Sequence, residues 1–269
     1  MNLAELRKLP HLSASSIGTY IDCGMKYRLA KIDKLPPAFK SDSLIYGSTI
    51  HRVLEVYHEA RMYDERLPLS MILELFEDYW DEELSKTSNI KFKKGVTAES
   101  LLHEGKSLLT VYCDQYPYDD FKVLGVEEAI SFTIPGLPMA IIGGIDLLEE
   151  DESGTIIITD HKTAGKAFSL AEVNRNMQLT IYQMAMKKLY PGRDILLKLD
   201  ALIKTKKPRF EQFYTFRDDL DEQRTIKKIL AVWDGIQKEV FIPNEESRYC
   251  SGCEYKTHCN DWFNQRMVA

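Results

Sequence analysis

Three consecutive segments with the character of β-strands constrain the fold of this 269-residue chain most strongly. Residues 122–134, 139–149 and 155–162 alternate or run apolar, and turn signals separate them at Pro135-Gly136 and at Glu152-Ser153-Gly154. Short connections of this kind join strands that are neighbours in a sheet. The pattern therefore predicts a three-stranded meander near the middle of the chain.

Helical patterns surround this meander. The predicted helices cover residues 13–32, 47–62, 70–86, 98–116, 169–190 and 218–240, and two more strands cover 195–205 and 210–216. This order predicts an α/β (α+β) fold with a mixed sheet flanked by helices. We expect one domain over residues 1–269, with 62–120 as a helical insertion, because no linker rich in proline, glycine or serine flanks that segment.

Composition narrows the class of protein. The chain is 44% hydrophobic and 28% charged, and it has no apolar run of the roughly 18 residues that a membrane span needs. It also begins without the apolar segment of a signal peptide. These features predict a soluble, cytoplasmic protein that has no membrane partner.

Charge is distributed unevenly along the chain, although the net charge is −6. Residues 61–90 are acidic, whereas residues 1–40 and 187–209 are basic. Within the second basic stretch, a predicted turn carries Lys204, Lys206, Lys207 and Arg209. A basic face on an acidic protein suits a phosphate backbone, and it is equally typical of a solvated surface.

The third strand of the meander carries the candidate chemistry. It ends in Asp160, His161 and Lys162, and side-chain alternation places Asp160 and Lys162 on the same face. Taken alone, these two side chains are also what an incidental ion pair at the end of a strand would show. Asp146, however, lies on the preceding strand, and two adjacent carboxylates repel each other unless a cation lies between them. Oxygen ligands suit Mg²⁺ or Mn²⁺, and Lys162 could orient water or stabilise charge on a phosphate.

One further carboxylate lies on the first strand of the meander. Glu127 could approach the metal site, although a position on the surface is the more common one for such a residue.

The order of an aspartate followed by Asp-x-Lys on the next strand resembles the PD-(D/E)XK nuclease superfamily. Two further motifs resemble its RecB-type branch, namely Gly47-Ser48-Thr49-Ile50-His51 and Gln178-Leu179-Thr180-Ile181-Tyr182. The resemblance implies a restriction-endonuclease-like fold. It also implies metal ligation by His51, Asp146, Asp160 and the backbone carbonyl of His161, a catalytic role for Lys162, and positioning of DNA or of the active site by Gln178 and Tyr182.

Four of the five cysteines form a second constellation. Cys250, Cys253 and Cys259 are close in sequence and Cys23 lies far upstream. Cysteines of cytoplasmic proteins rarely form disulfides, and four thiolates suit a [4Fe-4S] cluster or zinc. His258 could replace a cysteine in a zinc site. We interpret Cys113 as a small buried apolar residue.

The arrangement of one cysteine upstream and three near the C-terminus resembles iron–sulfur members of the RecB-type branch, including the CRISPR-associated exonucleases and the AddB nuclease domain. It implies that Cys23 and residues 245–262 bind a [4Fe-4S] cluster. Gly24 departs from the pattern, since a proline is usual at that position.

The combined resemblance implies a Mg²⁺- or Mn²⁺-dependent deoxyribonuclease that hydrolyses phosphodiester bonds. Single-stranded DNA or a duplex end would be its substrate, and exonuclease action with 5′→3′ polarity is common among such relatives. DNA repair, recombination and CRISPR adaptation all suit such an enzyme, as do a protein partner from one of those pathways and a homo-oligomer. The alternative is a non-catalytic iron–sulfur subunit that binds DNA.

Overall fold

A computed structural model describes residues 1–117 and 120–264 of the chain. The first part contains α1 (Leu3–Leu6), β1 (His11–Ser13), α2 (Ala14–Asp22), α3 (Gly24–Tyr27), a π-helical turn (Arg28–Ile32), β2 (Lys40–Ser41), α4 (Asp42–Met62), α5 (Leu69–Lys86), β3 (Ile90–Lys91) and α6 (Ala98–Gln115). The second part contains β4 (Lys122–Phe132), β5 (Ala140–Glu150), β6 (Ile156–Ala164), α7 (Leu170–Asn174), α8 (Met177–Leu189), β7 (Ile195–Ile203), β8 (Arg209–Thr215), α9 (Asp219–Gln237), a 3₁₀ turn (Cys250–Gly252) and α10 (Lys256–Asn264).

A six-stranded mixed sheet forms the centre of the molecule. β4, β5 and β6 pair antiparallel in sequence order, so the predicted meander is confirmed. β7 then pairs parallel to β6, and β8 pairs antiparallel to β7. The predicted class, a mixed sheet flanked by helices, is therefore confirmed.

The edge of β5 that faces β6 is interrupted at one point. β5 pairs with β1 at residues 140–142 and with β6 at residues 147–150, while β4 covers its other edge. Residues 143–146 therefore lie between the two pairings, where β5 and β6 separate. This gap places Asp146 at an opening in the sheet.

Helices cover both faces of the sheet. One apolar core lies against α2, α8 and α9, and a second lies against α4, α5 and α6. The apolar run Ile156-Ile157-Ile158 is fully buried, as expected for a strand that is covered on both faces. Within the described ranges, every helix is too short or too polar to cross a lipid bilayer.

Two predicted helices are interrupted. The helix predicted over 13–32 breaks at Cys23, which has extended backbone and caps α3 by accepting the Lys26 N–H at 3.4 Å. The helix predicted over 169–190 breaks at Arg175-Asn176, because the Asn176 side chain caps α8. In both cases a side chain that satisfies free N–H groups starts a new helix, which three-four apolar spacing does not reveal.

Candidate active site

A cleft opens at the gap between β5 and β6, under α4 and beside the N-terminal segment. Six residues singled out in the sequence line it together: His51, Asp146, Asp160, Lys162, Gln178 and Tyr182. They come from α4, β5, β6 and α8, so the fold brings together side chains that are up to 131 positions apart in sequence (from 51 to 182).

One imidazole and two carboxylates converge at the floor of this cleft. The ligand atoms of His51, Glu127 and Asp146 all lie within 4.8 Å of one another, and Nδ1 of His51 is 3.6 Å from Oδ2 of Asp146. Of the two positions that the sequence leaves open for Glu127, the structure shows the one near the metal site, because the side chain is partly buried and lines the cleft. The pairs Val126–Leu147 and Glu128–Ile145 place Glu127 opposite Asp146, so the antiparallel register was the signal that could have identified it.

The backbone at Glu127 is unusual. Its φ of 48° lies in the left-handed region, which costs a non-glycine residue free energy and is concentrated at functional sites. This conformation occurs where the side chain meets His51 and Asp146. The strained backbone of Glu127 therefore lies at the residue whose carboxylate meets His51 and Asp146.

Electrostatics in this group are typical of a cation site. Burial and then the charge of Asp160 raise the pKa of Asp146 to about 7, and burial and then the charge of Asp146 raise the pKa of Glu127 to about 7. Burial, followed by the charge of Lys162, lowers the pKa of His51, which favours the neutral imidazole that can act as a ligand. A hard divalent cation would relieve the repulsion between the carboxylates, so this donor set fits Mg²⁺ or Mn²⁺.

Asp160 and Lys162 form a close ion pair beside this group. Nζ of Lys162 lies 2.8 Å from Oδ1 and 2.7 Å from Oδ2 of the fully buried Asp160. Burial alone would lower the pKa of Lys162, but the charges of Asp160 and Asp146 outweigh it and raise that pKa. Lys162 is therefore a cation held inside the cleft.

Helix α8 supports this lysine from the other side. Oε1 of Gln178 accepts a hydrogen bond from Nζ of Lys162 at 3.3 Å, and Nε2 of Gln178 donates to the hydroxyl of Tyr182 at 2.6 Å. Tyr182 in turn donates to the carbonyl of Gly144 on β5. A Cβ at Gly143 would lie 3.1 Å from the Tyr182 ring, so a glycine there allows α8 to approach the strand.

His161 takes a different direction from its neighbours. Its side chain is buried on the opposite face of β6, where it stacks on His58 with ring centroids 5.3 Å apart. Its peptide N–H, however, donates to Oδ2 of Asp146 at 2.7 Å. Metal ligation by its carbonyl stays a prediction.

The four cysteines of the second constellation line one pocket, although they are far apart in sequence. Cys23, Cys250, Cys253 and Cys259 surround it together with Met25 and Leu29, and all are free thiols. Backbone N–H groups of Lys26 and Asn244 point at the Cys23 sulfur at 3.4 and 3.5 Å. Cys113 lies elsewhere, on α6, where burial raises its pKa to about 11.

The basic side chains of the cleft come from the first of the two basic stretches, residues 1–40, and from α4, and not from the stretch at 187–209. The turn at 204–208 does not line the cleft, and Nζ of Lys204 packs over the Tyr46 ring, 4.5 Å from its centroid. Arg7, Lys31 and Arg52 line the cleft instead. They come from the N-terminal segment and from α4.

A model of the PD-(D/E)XK nuclease superfamily matches residues 11–260. The chain belongs to the PD-(D/E)XK nuclease superfamily. The resemblance inferred from the Asp and Asp-x-Lys strands is therefore confirmed at the level of the superfamily, and with it the restriction-endonuclease-like fold and the assignment as a nuclease. The RecB-type branch and its iron–sulfur cluster stay predictions.

A solved structure supports the fold. A protein from Eubacterium rectale that is described as a candidate exonuclease is 11% identical, with a TM-score of 0.57 over 90% of this chain and 87% of that one. The structure of SSO0001 is 13% identical over 91% of this chain and 94% of that one, with a TM-score of 0.37. No curated protein matches the chain.

Proposed function

We propose that this superfamily member is a Mg²⁺- or Mn²⁺-dependent deoxyribonuclease whose active site is the cleft between β5 and β6. One observation carries the proposal. His51, Glu127 and Asp146 bring their ligand atoms within 4.8 Å of one another, and the Asp160–Lys162 pair lines the same cleft.

The cation would be held by His51, Glu127, Asp146 and Asp160, with the carbonyl of His161 as a proposed fifth donor. A divalent cation bound there supplies positive charge that polarises a phosphate oxygen and acidifies a water molecule. The peptide N–H of His161 fixes the Asp146 carboxylate in the orientation that faces the cleft.

Lys162 would stabilise negative charge that develops on the phosphate. Its ammonium group is held between Asp160 and Gln178, so little reorganisation is needed when the substrate arrives. Gln178 and Tyr182 position this lysine through a hydrogen-bonded chain that ends on the backbone of β5. Arg7, Lys31 and Arg52 would contact backbone phosphates on either side of the scissile bond.

Single-stranded DNA is the proposed substrate, and exonuclease action with 5′→3′ polarity is the proposed mode. The Eubacterium rectale protein that shares the fold is itself described as a candidate exonuclease. The resemblance to cluster-bearing relatives supports the polarity and a role in DNA repair, recombination or CRISPR adaptation.

The cysteine pocket is proposed to hold a [4Fe-4S] cluster. Four thiolates line one pocket, three of them close together in sequence and one far upstream, and four cysteine thiolates are the usual ligands of such a cluster. A structural zinc site more often uses two close pairs of ligands.

The substrate and mode are tested with purified protein and DNA that carries a label at one end. Linear single strands labelled at the 5′ or the 3′ end, blunt duplexes and circular single strands are each incubated with Mg²⁺, with Mn²⁺ or with EDTA. The proposal predicts metal-dependent loss of linear single strands, with mononucleotides or short products released first from the 5′ end. Cleavage of circles would establish endonuclease action instead, and absence of any cleavage would contradict the assignment as an enzyme.

A further inference from the structure

A chain of buried polar side chains lies directly behind the proposed active site. Nη1 of Arg61 lies 2.9 Å from Nδ1 of His58, and Nε2 of His58 lies 2.7 Å from the Tyr112 hydroxyl. That hydroxyl is 3.3 Å from Nε2 of His161. Arg61 and His58 belong to α4, and Tyr112 belongs to α6. The chain therefore joins the helical layer to the catalytic strand.

The direction of these hydrogen bonds is set at the Arg61 end. A guanidinium group donates and never accepts, so Nδ1 of His58 must be the acceptor. Because Nδ1 accepts and carries no proton, the proton of the His58 ring lies on Nε2, from which it donates to Tyr112. The Tyr112 hydroxyl then has its own proton free to donate to Nε2 of His161. Each step follows from the one before it.

At the His161 end of the hydrogen-bonded chain, these donor and acceptor roles leave the proton of the ring on Nδ1. Nε2 accepts from Tyr112 and therefore carries no proton, so the one proton of the ring is on Nδ1. Nδ1 lies 3.9 Å from Oδ2 of Asp146, beyond hydrogen-bond distance, whereas the peptide N–H of His161 donates to that oxygen at 2.7 Å. Oδ2 of Asp200 also lies 3.9 Å from Nε2, which is beyond hydrogen-bond distance, so Tyr112 is the closer partner of that nitrogen.

We propose that Tyr112 and His58 are positioning residues for the nuclease reaction. Through the contact with Arg61, they fix the tautomer and the orientation of the His161 ring and so hold the residue whose peptide N–H donates to the carboxylate of Asp146. This role rests on the proposed function of the cleft. It also gives the helical layer a part in catalysis, since Tyr112 comes from the segment that the sequence marked as an insertion. Groups that orient a ligand in this way commonly affect metal affinity or activity by about 10- to 100-fold when they are removed.

Tyr112 and the neighbouring Tyr116 allow a matched pair of variants. Tyr112→Phe removes the hydroxyl that contacts both imidazoles. Tyr116→Phe removes a neighbouring hydroxyl that donates to Glu149 at 2.8 Å and is a hydrogen-bond partner of Arg61 and Lys198. Both rings are buried in the same core, so both variants lose buried hydrogen bonds.

The first experiment compares kinetics and stability. We expect Tyr112→Phe to lower kcat by about tenfold and to raise the Mn²⁺ concentration needed for half-maximal binding by a similar factor, with KM for DNA unchanged. Tyr116→Phe should lower the melting temperature at least as much and retain the kcat of the wild type. Equal effects of the two variants on kcat and on Mn²⁺ binding would overturn the proposal, because a general loss of stability would then explain both.

The second experiment does not depend on cleavage. Nitrogen-15 NMR of the histidine rings in the wild-type protein should show the proton of His58 on Nε2 and that of His161 on Nδ1. In Tyr112→Phe the preference at His161 should be lost. A wild-type His161 that is protonated on Nε2 would overturn the proposal even in an active enzyme. If the protein cleaved no DNA, the proposed nuclease function would fail, but these spectra and the Mn²⁺ titration would still test the positioning role of Tyr112 and His58. Failure of the proposed function and failure of the positioning role can therefore be distinguished.

Discussion

Gln178 joins Lys162 to Tyr182 through the two ends of one side-chain amide. Its oxygen lies 3.3 Å from Nζ of Lys162 and its nitrogen 2.6 Å from the hydroxyl of Tyr182. Residues four apart on a helix share a face, so α8 presents both side chains to the cleft. The lysine is thus held by the helix as well as by Asp160.

This contact predicts the effect of replacing the amide. Gln178→Met keeps the length of the side chain and removes both hydrogen bonds, so the ammonium of Lys162 loses one of its two fixed partners. We expect kcat to fall by about 10- to 100-fold, with little change in melting temperature. Steady-state cleavage kinetics would measure this, with Gln223→Met on the exposed face of α9 as the control. An unchanged kcat would show that Asp160 alone positions the lysine.

The acidic group predicts how stabilisation by Mg²⁺ depends on pH. The pKa values of Asp146 and Glu127 are raised to about 7, so folding is favoured while these groups are protonated and loses that contribution as pH rises through about 7. A bound cation offsets the cost of ionisation. The rise in melting temperature on addition of Mg²⁺ should therefore be larger at pH 8 than at pH 6.

Thermal shift assays with Mg²⁺ or EDTA at both pH values would measure this difference. Glu127→Gln removes one of the two ionisations and should reduce it, together with the affinity for Mg²⁺. A Mg²⁺ effect of equal size at both pH values would contradict the assignment of these carboxylates as cation ligands.

A pair of glycines tests the packing of the helices. A Cβ at Gly105 of α6 would overlap the ring of Phe76 on α5, so Gly105→Ala should destabilise the protein by about 1–3 kcal/mol. Gly18 of α2 has no atom within 4 Å of an added Cβ, and Gly18→Ala should be neutral or stabilise by up to about 1 kcal/mol, because alanine favours the helix. Urea denaturation would measure both, and equal effects would contradict the close contact of α5 with α6.

The cysteine pocket predicts a coloured protein when it is purified without oxygen. Cys259→Ser should lose iron, visible absorbance and several degrees of melting temperature, because the pocket joins the region of α2 and α3 to the C-terminal segment. Cys113→Ser should keep its iron. Elemental analysis that finds zinc in place of iron in the wild type would contradict the cluster assignment.

Much of the site could be predicted from sequence because its residues lie on strongly patterned elements. The run Ile156-Ile157-Ile158 marks β6 as a buried strand, and alternation along it places Asp160 and Lys162 together. The three-four spacing likewise predicts that Gln178 and Tyr182 share a helix face. These are local rules, and the structure brings all four side chains into the same cleft.

Other features depend on contacts that no local pattern contains. Glu127 belongs to the acidic group because of the register between β4 and β5 and because of a left-handed backbone. Tyr112 reaches His161 only because α6 packs behind the sheet. Of the two basic stretches, residues 1–40 contribute Arg7 and Lys31 to the cleft, whereas the turn at 204–208 lies outside its lining. Each of these outcomes is decided by tertiary packing.

The most direct measurement compares cleavage of 5′-labelled single-stranded DNA by the wild type, by Lys162→Met and by Lys166→Met, each with Mg²⁺. Lys166 is exposed, with 74% of its side-chain surface accessible, and lies just beyond the same strand, so it controls for loss of a positive charge. We expect Lys162→Met to stay folded and to bind DNA but to lose cleavage by about 100-fold or more, while Lys166→Met cleaves like the wild type. The melting temperature of Lys162→Met should fall, because the buried Asp160 loses its counter-ion. Cleavage by Lys162→Met at the wild-type rate would contradict the placement of the active site in this cleft.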